Sequence, residues 1–441
     1  MFQLPSFAVQ TRRPLILVLL LALAASPAFA KKKKPAPAPA TTETGPRKFS
    51  FDPKKLVWPN PPSIARIHWI DYFTGIKIDY TQQATAKPKA SWMDRLAGAQ
   101  APQDKINKKT FPFQMIGPYG IAIDSKGLVY AADQRVGAIF IFNPQNRNDV
   151  QMIRNGFEAH FGLVNCIAID DDDRIFVSDG KIHRVLVFSP KRELVGQVSD
   201  GLQDPVGLAI DTTNRFLYVV DTQQDQVLVY DADSFKLLRR IGTGGKNHFL
   251  TTPGDFGAPQ GAAVDADGNL YVTDTMNDRV EIFDADGAFV STFGKPGDGP
   301  GYFARPKGIA VDSDGHIWVA DQMQDRLQVF NKEGQLLTYV GQGHGELPGQ
   351  FQSLVGVAID KNNNVYTAEQ EPGRMQMFHY VTDSEAAAEK QKQQEEREKA
   401  AERRQKAAAP ADSAPSTAPV ATPATTPAAA PDTTKPTTPQ Q

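Results

Sequence analysis

Cysteine is almost absent from this sequence: Cys166 stands alone among 441 residues. No internal disulfide can form, so packing and hydrogen bonds must hold the fold. Charge of one sign is missing too. The formal net charge is −2 at pH 7, and it becomes −4 (−2 − 2) once a leader carrying Arg12 and Arg13 is removed. Without a basic excess to neutralise a phosphate backbone, nucleic acid is excluded as a partner. Histidine is scarce. The seven (His68, His160, His183, His248, His316, His344 and His379) include no pair at the i, i+2 or i, i+4 spacing that gathers metal ligands on one element. The one long apolar run, residues 15–25, is too short for a comfortable transmembrane helix.

That run has the setting of a secretory leader. Arg12 and Arg13 precede it, and Ala28-Phe29-Ala30 supplies a small-x-small cleavage pattern. Residues 1–30 are therefore expected to be a signal peptide cut after Ala30, which sends the chain to the periplasm or the extracellular space. Lys31 to Lys34 follow at once, and positive charge there hinders export, so a retained anchor is the alternative. Residues 31–60, beginning in a Lys/Pro/Ala/Thr stretch, are expected to form a disordered linker. At the other end, residues 381–407 read as a charged, solvent-exposed helix that Asp383-Ser384 can cap. Glu395–Lys399 and Glu402–Lys406 lie four apart on it, and it has no apolar stripe beyond alanines. The Ala/Pro/Thr-rich residues 408–441 cannot bury enough surface to order.

What fills the middle is repetition. A small-apolar run closing in aspartate recurs as G-I-A-I-D, C-I-A-I-D, G-L-A-I-D, G-A-A-V-D, G-I-A-V-D and G-V-A-I-D. Its aspartates, Asp124, Asp170, Asp211, Asp265, Asp312 and Asp360, are 46, 41, 54, 47 and 48 residues apart. After each comes a second strand such as I-W-V-A-D and a third such as L-Q-V-F, separated by turn residues. Four short strands per repeat cannot bury their own faces. Six copies at this period predict an all-β, six-bladed β-propeller over residues 61–380, with residues 77–112 as an insertion that carries a short helix near Trp92 and Leu96. The sixth repeat ends at the M-Q-M-F of residues 375–378 with no fourth strand. Residues 65–72 alternate like a strand ahead of the first repeat, so they are expected to supply that outer strand and close the ring.

The P-x-G-x-A-x-D, Y-V-x-D and R-[VL]-x-[VI]-F elements resemble the NHL repeat, and the chain is similar to six-bladed NHL propellers over residues 61–380. The resemblance implies the fold. It leaves function open among scaffolds, RNA binders, peptidyl-hydroxyglycine lyases with a histidine-held metal, and metal-dependent lactonases.

Carboxylates repeated in every blade serve a need that every blade has. Asp124 and its five equivalents, and Asp133, Asp179, Asp221, Asp274 and Asp321, are expected to accept backbone N–H bonds in turns. Glu369 replaces the second aspartate in the last blade, which is expected to turn differently. Cys166 replaces the glycine found at 120, 207, 261, 308 and 356 and reads as a small hydrophobe. Glycine-rich connections ahead of several blades read as turns at positive φ, since no helix follows to present a phosphate site.

Residues that vary between blades are the candidates for function. Tyr119, Asn165, Val206, Gln260, Lys307 and Val355 occupy the turn leading into each innermost strand and are expected to ring the channel mouth. Arg135, His183, Gln224, Asn277, Gln324 and Gln370 sit on loops rising on the same face. None of the first six is acidic or a histidine. The set suits a protein, peptide or glycan partner, held by a non-catalytic monomeric propeller with no stable membrane insertion once the leader is removed. The enzyme alternative is a metal-dependent lyase or lactonase at the channel mouth. No cofactor is implied, and an ion in the channel is the one species left open.

Overall fold

The computed structural model describes residue 49, residues 51–75 apart from 61, 62 and 64, and residues 114–408 apart from 147, 148, 157, 158, 245–249 and 342. The expected leader, the helix of the insertion and the tail lie outside these residues.

Six antiparallel sheets form, one per repeat. Their inner strands are Pro118–Ile123, Val164–Ile169, Pro205–Asp211, Ala262–Val264, Pro306–Val311 and Leu354–Ile359, defining blades 1 to 6. Blade 5 shows the plan. Its second strand, Ile317–Asp321, and third, Arg326–Phe330, are buried at almost every position, as strands covered on both faces must be. Its outer strand, Leu336–Val340, is half exposed. The hydrophobic core is divided accordingly into six clusters, each at the junction of two neighbouring blades. Phe330, Phe293 and Phe303 pack between blades 4 and 5, while Phe140, Val129, Tyr366 and Val355 join blade 6 to blade 1. Each buried Val, Ile or Phe is worth about 1.5–3 kcal/mol before entropy is set against it.

The ring closes as the repeat pattern predicts. Ile67–Phe73 pairs antiparallel with Arg374–Tyr380 as the outer strand of blade 6. The expected linker is corrected at its end, because Val57–Trp58 adds a fifth strand with Val57 opposite His68. Trp58 is buried against Phe378, and that burial recruits the segment before residue 61 into the blade.

Apart from blade 2, where Cys166 stands at the position, the innermost strands meet so closely that a side chain is excluded at one level of the ring. A Cβ on Gly356 would lie 2.1 Å from Tyr119 O, and one on Gly207 or Gly261 would lie 2.3 Å from the backbone oxygen of the next blade. The repeated glycine is thus a steric requirement of blade packing. Long connections into blades 4 to 6 use glycine for the other reason, with Gly254 at φ 89°, Gly301 at 82° and Gly349 at 76°.

Helix α1, Asp383–Ala408, follows the last blade. Its cap is Thr382 rather than the predicted Asp383-Ser384. Glu385 N donates to Thr382 Oγ1 at 3.2 Å, and Thr382 N donates back to Glu385 Oε2 at 2.9 Å, a reciprocal capping box. Asp383 instead pairs with Arg66 at 2.8 Å, tying the helix start to the closing strand. Glu395 and Lys399 approach to 3.8 Å, as their spacing predicts.

Candidate functional site

Both sets of repeated carboxylates do structural work. Asp312 Oδ1 accepts from the backbone N–H of Asp314 and His316 at 3.0 and 2.9 Å, and its Oδ2 accepts from Trp318 Nε1 at 2.8 Å. Asp124, Asp170, Asp211, Asp265 and Asp360 accept in the same way from the turn that follows each. The second set works at the opposite end of the blade. Asp321 receives the N–H groups of Ala304 and Arg305 at 2.8 and 3.1 Å, pinning the segment that leads into its own inner strand. Asp133, Asp179, Asp221 and Asp274 repeat that clasp. In blade 6 the longer Glu369 differs, as expected. It accepts one N–H from Gln352 at 3.1 Å and otherwise turns to Arg374 Nε at 2.9 Å and Gln376 Nε2 at 2.9 Å.

The channel runs along the inner strands. At its neck lies a cavity of about 70 Å³ lined by Tyr119, Cys166, Gln260, Lys307, Val355 and their neighbours. The far end opens among Ile123, Ile169, Ile210, Val264, Val311 and Ile359. The six variable residues of the mouth do not share one role. Asn165, Val206 and Val355 are buried. Asn165 joins blades, with its Oδ1 accepting from Gln134 Nε2 at 2.8 Å and its Nδ2 donating to Pro205 O at 2.9 Å. Tyr119, Gln260 and Lys307 instead meet across the neck. The Tyr119 hydroxyl donates to Gln260 Oε1 at 2.7 Å, and Lys307 Nζ donates to the same oxygen at 3.1 Å. Burial, with a smaller push from Arg305, lowers the Lys307 ammonium to about 8. Burial also raises the Tyr119 hydroxyl and the Cys166 thiol, so both keep their protons at neutral pH.

The loop residues divide similarly. Gln224 donates to Gly201 O at 2.7 Å, Asn277 to Leu250 O at 2.8 Å, and Gln324 to Gly297 O at 2.7 Å. Each therefore secures a blade-to-blade connection. Gln370 Nε2 reaches Gln134 Oε1 at 3.1 Å. Arg135 is half exposed and lies 3.7 Å from Glu371, and exposed His183 contacts Gln203 O.

Other features of this face are only partly marked in the sequence. Met276 and Met323, on loops of blades 4 and 5, are 48% and 64% exposed. Ile116, Leu163, Tyr302 and Leu347, on segments leading into blades 1, 2, 5 and 6, are exposed on the same face. Their neighbours in the repeat are buried, but nothing in the motif separates the two. A second feature was legible. The middle residue of the third strand is Glu281, Gln328 and Gln376 in blades 4 to 6, where blades 2 and 3 have Leu186 and Leu228. Each of the three polar side chains is fully buried and accepts an N–H of a glycine in the long connection, from Gly254, Gly301 and Gly349.

The neck does not fit a divalent metal. Its polar donors are a phenol, an amide, a protonated thiol and an ammonium, and that ammonium repels a cation. Among the described residues, the metal-ligating side chains that come together are Asp170, Asp171 and Asp172. They lie at the turn leaving an inner strand, on the opposite face, where Arg174 and Arg215 approach them at 2.7, 2.6 and 3.6 Å.

Six blades around a central channel, closed by an N-terminal strand, define a six-bladed β-propeller. A family model described as SMP-30/Gluconolactonase/LRE-like region matches residues 147–300, and an NHL repeat model matches residues 303–330. NHL repeat-containing protein 2 of Homo sapiens is 28% identical over 174 residues, 34% of this chain and 24% of that protein. The Gallus gallus protein of that name is 24% identical over 202 residues, 39% of this chain and 28% of its own length. The matched region thus spans about a quarter of the curated relatives. A streptogramin B lyase structure is 14% identical with a TM-score of 0.45, covering 60% of this chain and 94% of that one. A structural-genomics protein of unknown function from Bacteroides thetaiotaomicron is 19% identical with a TM-score of 0.49, covering 60% and 70%. The chain is an NHL-repeat six-bladed β-propeller.

Proposed function

We propose that this propeller is an exported, non-catalytic scaffold that binds a protein partner through its channel-mouth face. The observation that carries the reading is the row of exposed apolar side chains on three consecutive blades of that face: Met276, Tyr302, Met323 and Leu347. Methionine adapts its shape to a partner, and exposed aromatic and methionine side chains mark interfaces more than catalytic centres. The neck supports the same reading, since no nucleophile there is paired with a base and the donors present do not suit a metal. Export rests on the leader-like residues 1–30, and it places the partner in the envelope or outside the cell. Among the described residues no helix is long and apolar enough to cross a membrane.

A photocrosslinking residue placed at Met323 should capture a discrete protein in cells, and one placed at Leu238 on the outer edge of blade 3 should not. The double substitution Met276→Asp, Met323→Asp should remove the captured band while leaving the melting temperature unchanged, because both side chains are exposed. Capture at Leu238 alone would move the interface to the outer strands. A glycan enriched at Met323 in place of a protein would correct the partner class.

A further inference from the structure

Lys307 stands out at the neck because its charge is not matched. Its ammonium donates to one neutral acceptor, Gln260 Oε1, and makes no ion pair among the described residues. The neighbouring cation Arg305 adds repulsion. A largely buried ammonium is costly unless an anion accompanies it. The geometry also supplies donors and space. Both lone pairs of Gln260 Oε1 are taken, by Tyr119 and Lys307, which leaves the Gln260 amide nitrogen and the remaining Nζ protons to face a ligand. The adjoining cavity of about 70 Å³ has room for more than one water, and so for a carboxylate group. A doubly charged phosphate would exceed the single matching charge.

We propose that the channel neck is a binding site for one monovalent carboxylate, held by Lys307 Nζ with Gln260 beside it. The site goes beyond the partner-binding face and does not depend on it. A carboxylate replaces water as the acceptor for the ammonium, and the Cys166 thiol and Val355 close the apolar side of the pocket. Two sources offer the same chemistry: a small free carboxylate, or the C-terminus of a peptide threading the mouth.

The test is calorimetric titration of the full mature chain with acetate, inorganic phosphate, acetyl-Gly-Gly and acetyl-Gly-Gly-amide. Acetate should bind in a 1:1 ratio and phosphate at least tenfold more weakly. Acetyl-Gly-Gly binding better than acetate, with its amide inert, assigns the site to a peptide terminus; acetate binding better assigns it to a free acid. Lys307→Met should weaken acetate binding at least tenfold with an undiminished melting temperature, because it removes an unmatched buried charge. Binding should also fade above pH about 8, where Lys307 loses its proton. Of the other titratable groups facing the neck, the Tyr119 hydroxyl and the Cys166 thiol are raised by burial, as is the Asp204 carboxyl, and Arg305 is the neighbouring cation. Acetate binding that is undetectable in the wild type, equal to that of phosphate, or unchanged in Lys307→Met would overturn the proposal. Photocrosslinking at Met323 is unaffected by any of these results, so the two readings fail separately.

Discussion

Asp312 and His316 form a small electrostatic unit whose pH behaviour follows from its geometry. His316 Nδ1 lies 3.1 Å from Asp312 Oδ2, and the ring is mostly buried against Tyr380. The hydrogen bond to Asp312, opposed by burial, raises the imidazole above its ordinary 6.5. A group whose folded value is raised contributes stability in full below its unfolded value, and loses it as pH rises through the folded value. The wild type should therefore exceed His316→Asn in melting temperature by more at pH about 5.5 than at pH about 9. A constant gap across that range would show that the pair adds no charge-dependent stability. The six equivalent aspartates share the turn role, yet blade 5 alone adds a histidine at the fourth position. Here a repeat position has taken on a local refinement without becoming a site.

At the scale of the element, the glycine-rich connections are the informative case. They are long, yet each is anchored twice. Phe256, Phe303 and Phe351 insert fully into the core, and Glu281, Gln328 or Gln376 holds a backbone N–H from below. In blades 5 and 6 the phenylalanine lies three residues before the residue that opens the inner strand, as Phe303 does before Pro306, and in blade 4 Phe256 lies three before Pro259. Blades 1 to 3 put Met115, Phe161 and Leu202 there. Gln328→Leu, which copies the Leu186 of blade 2, leaves the Gly301 N–H without its partner and the Tyr302 carbonyl with Gln324 alone. It should cost about 1–3 kcal/mol and speed amide exchange at Gly301. Unaltered stability together with unaltered exchange would mean that Phe303 alone secures the connection. The polar residues in the middle of the third strand are the fastening of the loops above.

At the scale of the whole molecule, closure decides stability. The strand Ile67–Phe73 supplies the outer edge of blade 6, and Trp69 Nε1 donates at 2.9 Å to Gln376, the residue that also holds the connection through Gly349. Deleting residues 49–75 strips that edge and uncovers Trp58's neighbours Phe351 and Phe378. The shortened chain should unfold or associate through the exposed edge of Arg374–Tyr380. A monomer of unchanged melting temperature, seen by light scattering and calorimetry, would sink the closing-strand account.

Much of this was legible because a repeat states its rule six times. Blade number, the turn-binding aspartates, the variant Glu369 and the strand that closes the ring all follow from comparing the copies with one another. The identities of the mouth residues were legible too, but their division was not. Asn165, Val206 and Val355 occupy the same repeat position as Tyr119, Gln260 and Lys307, and only the latter three meet across the channel. Position within a blade is written in local sequence, since strand period and turn chemistry act over a few residues. Distance across a ring is set by how six blades pack at their glycines, and tertiary structure alone brings Tyr119 to Gln260, 141 residues away.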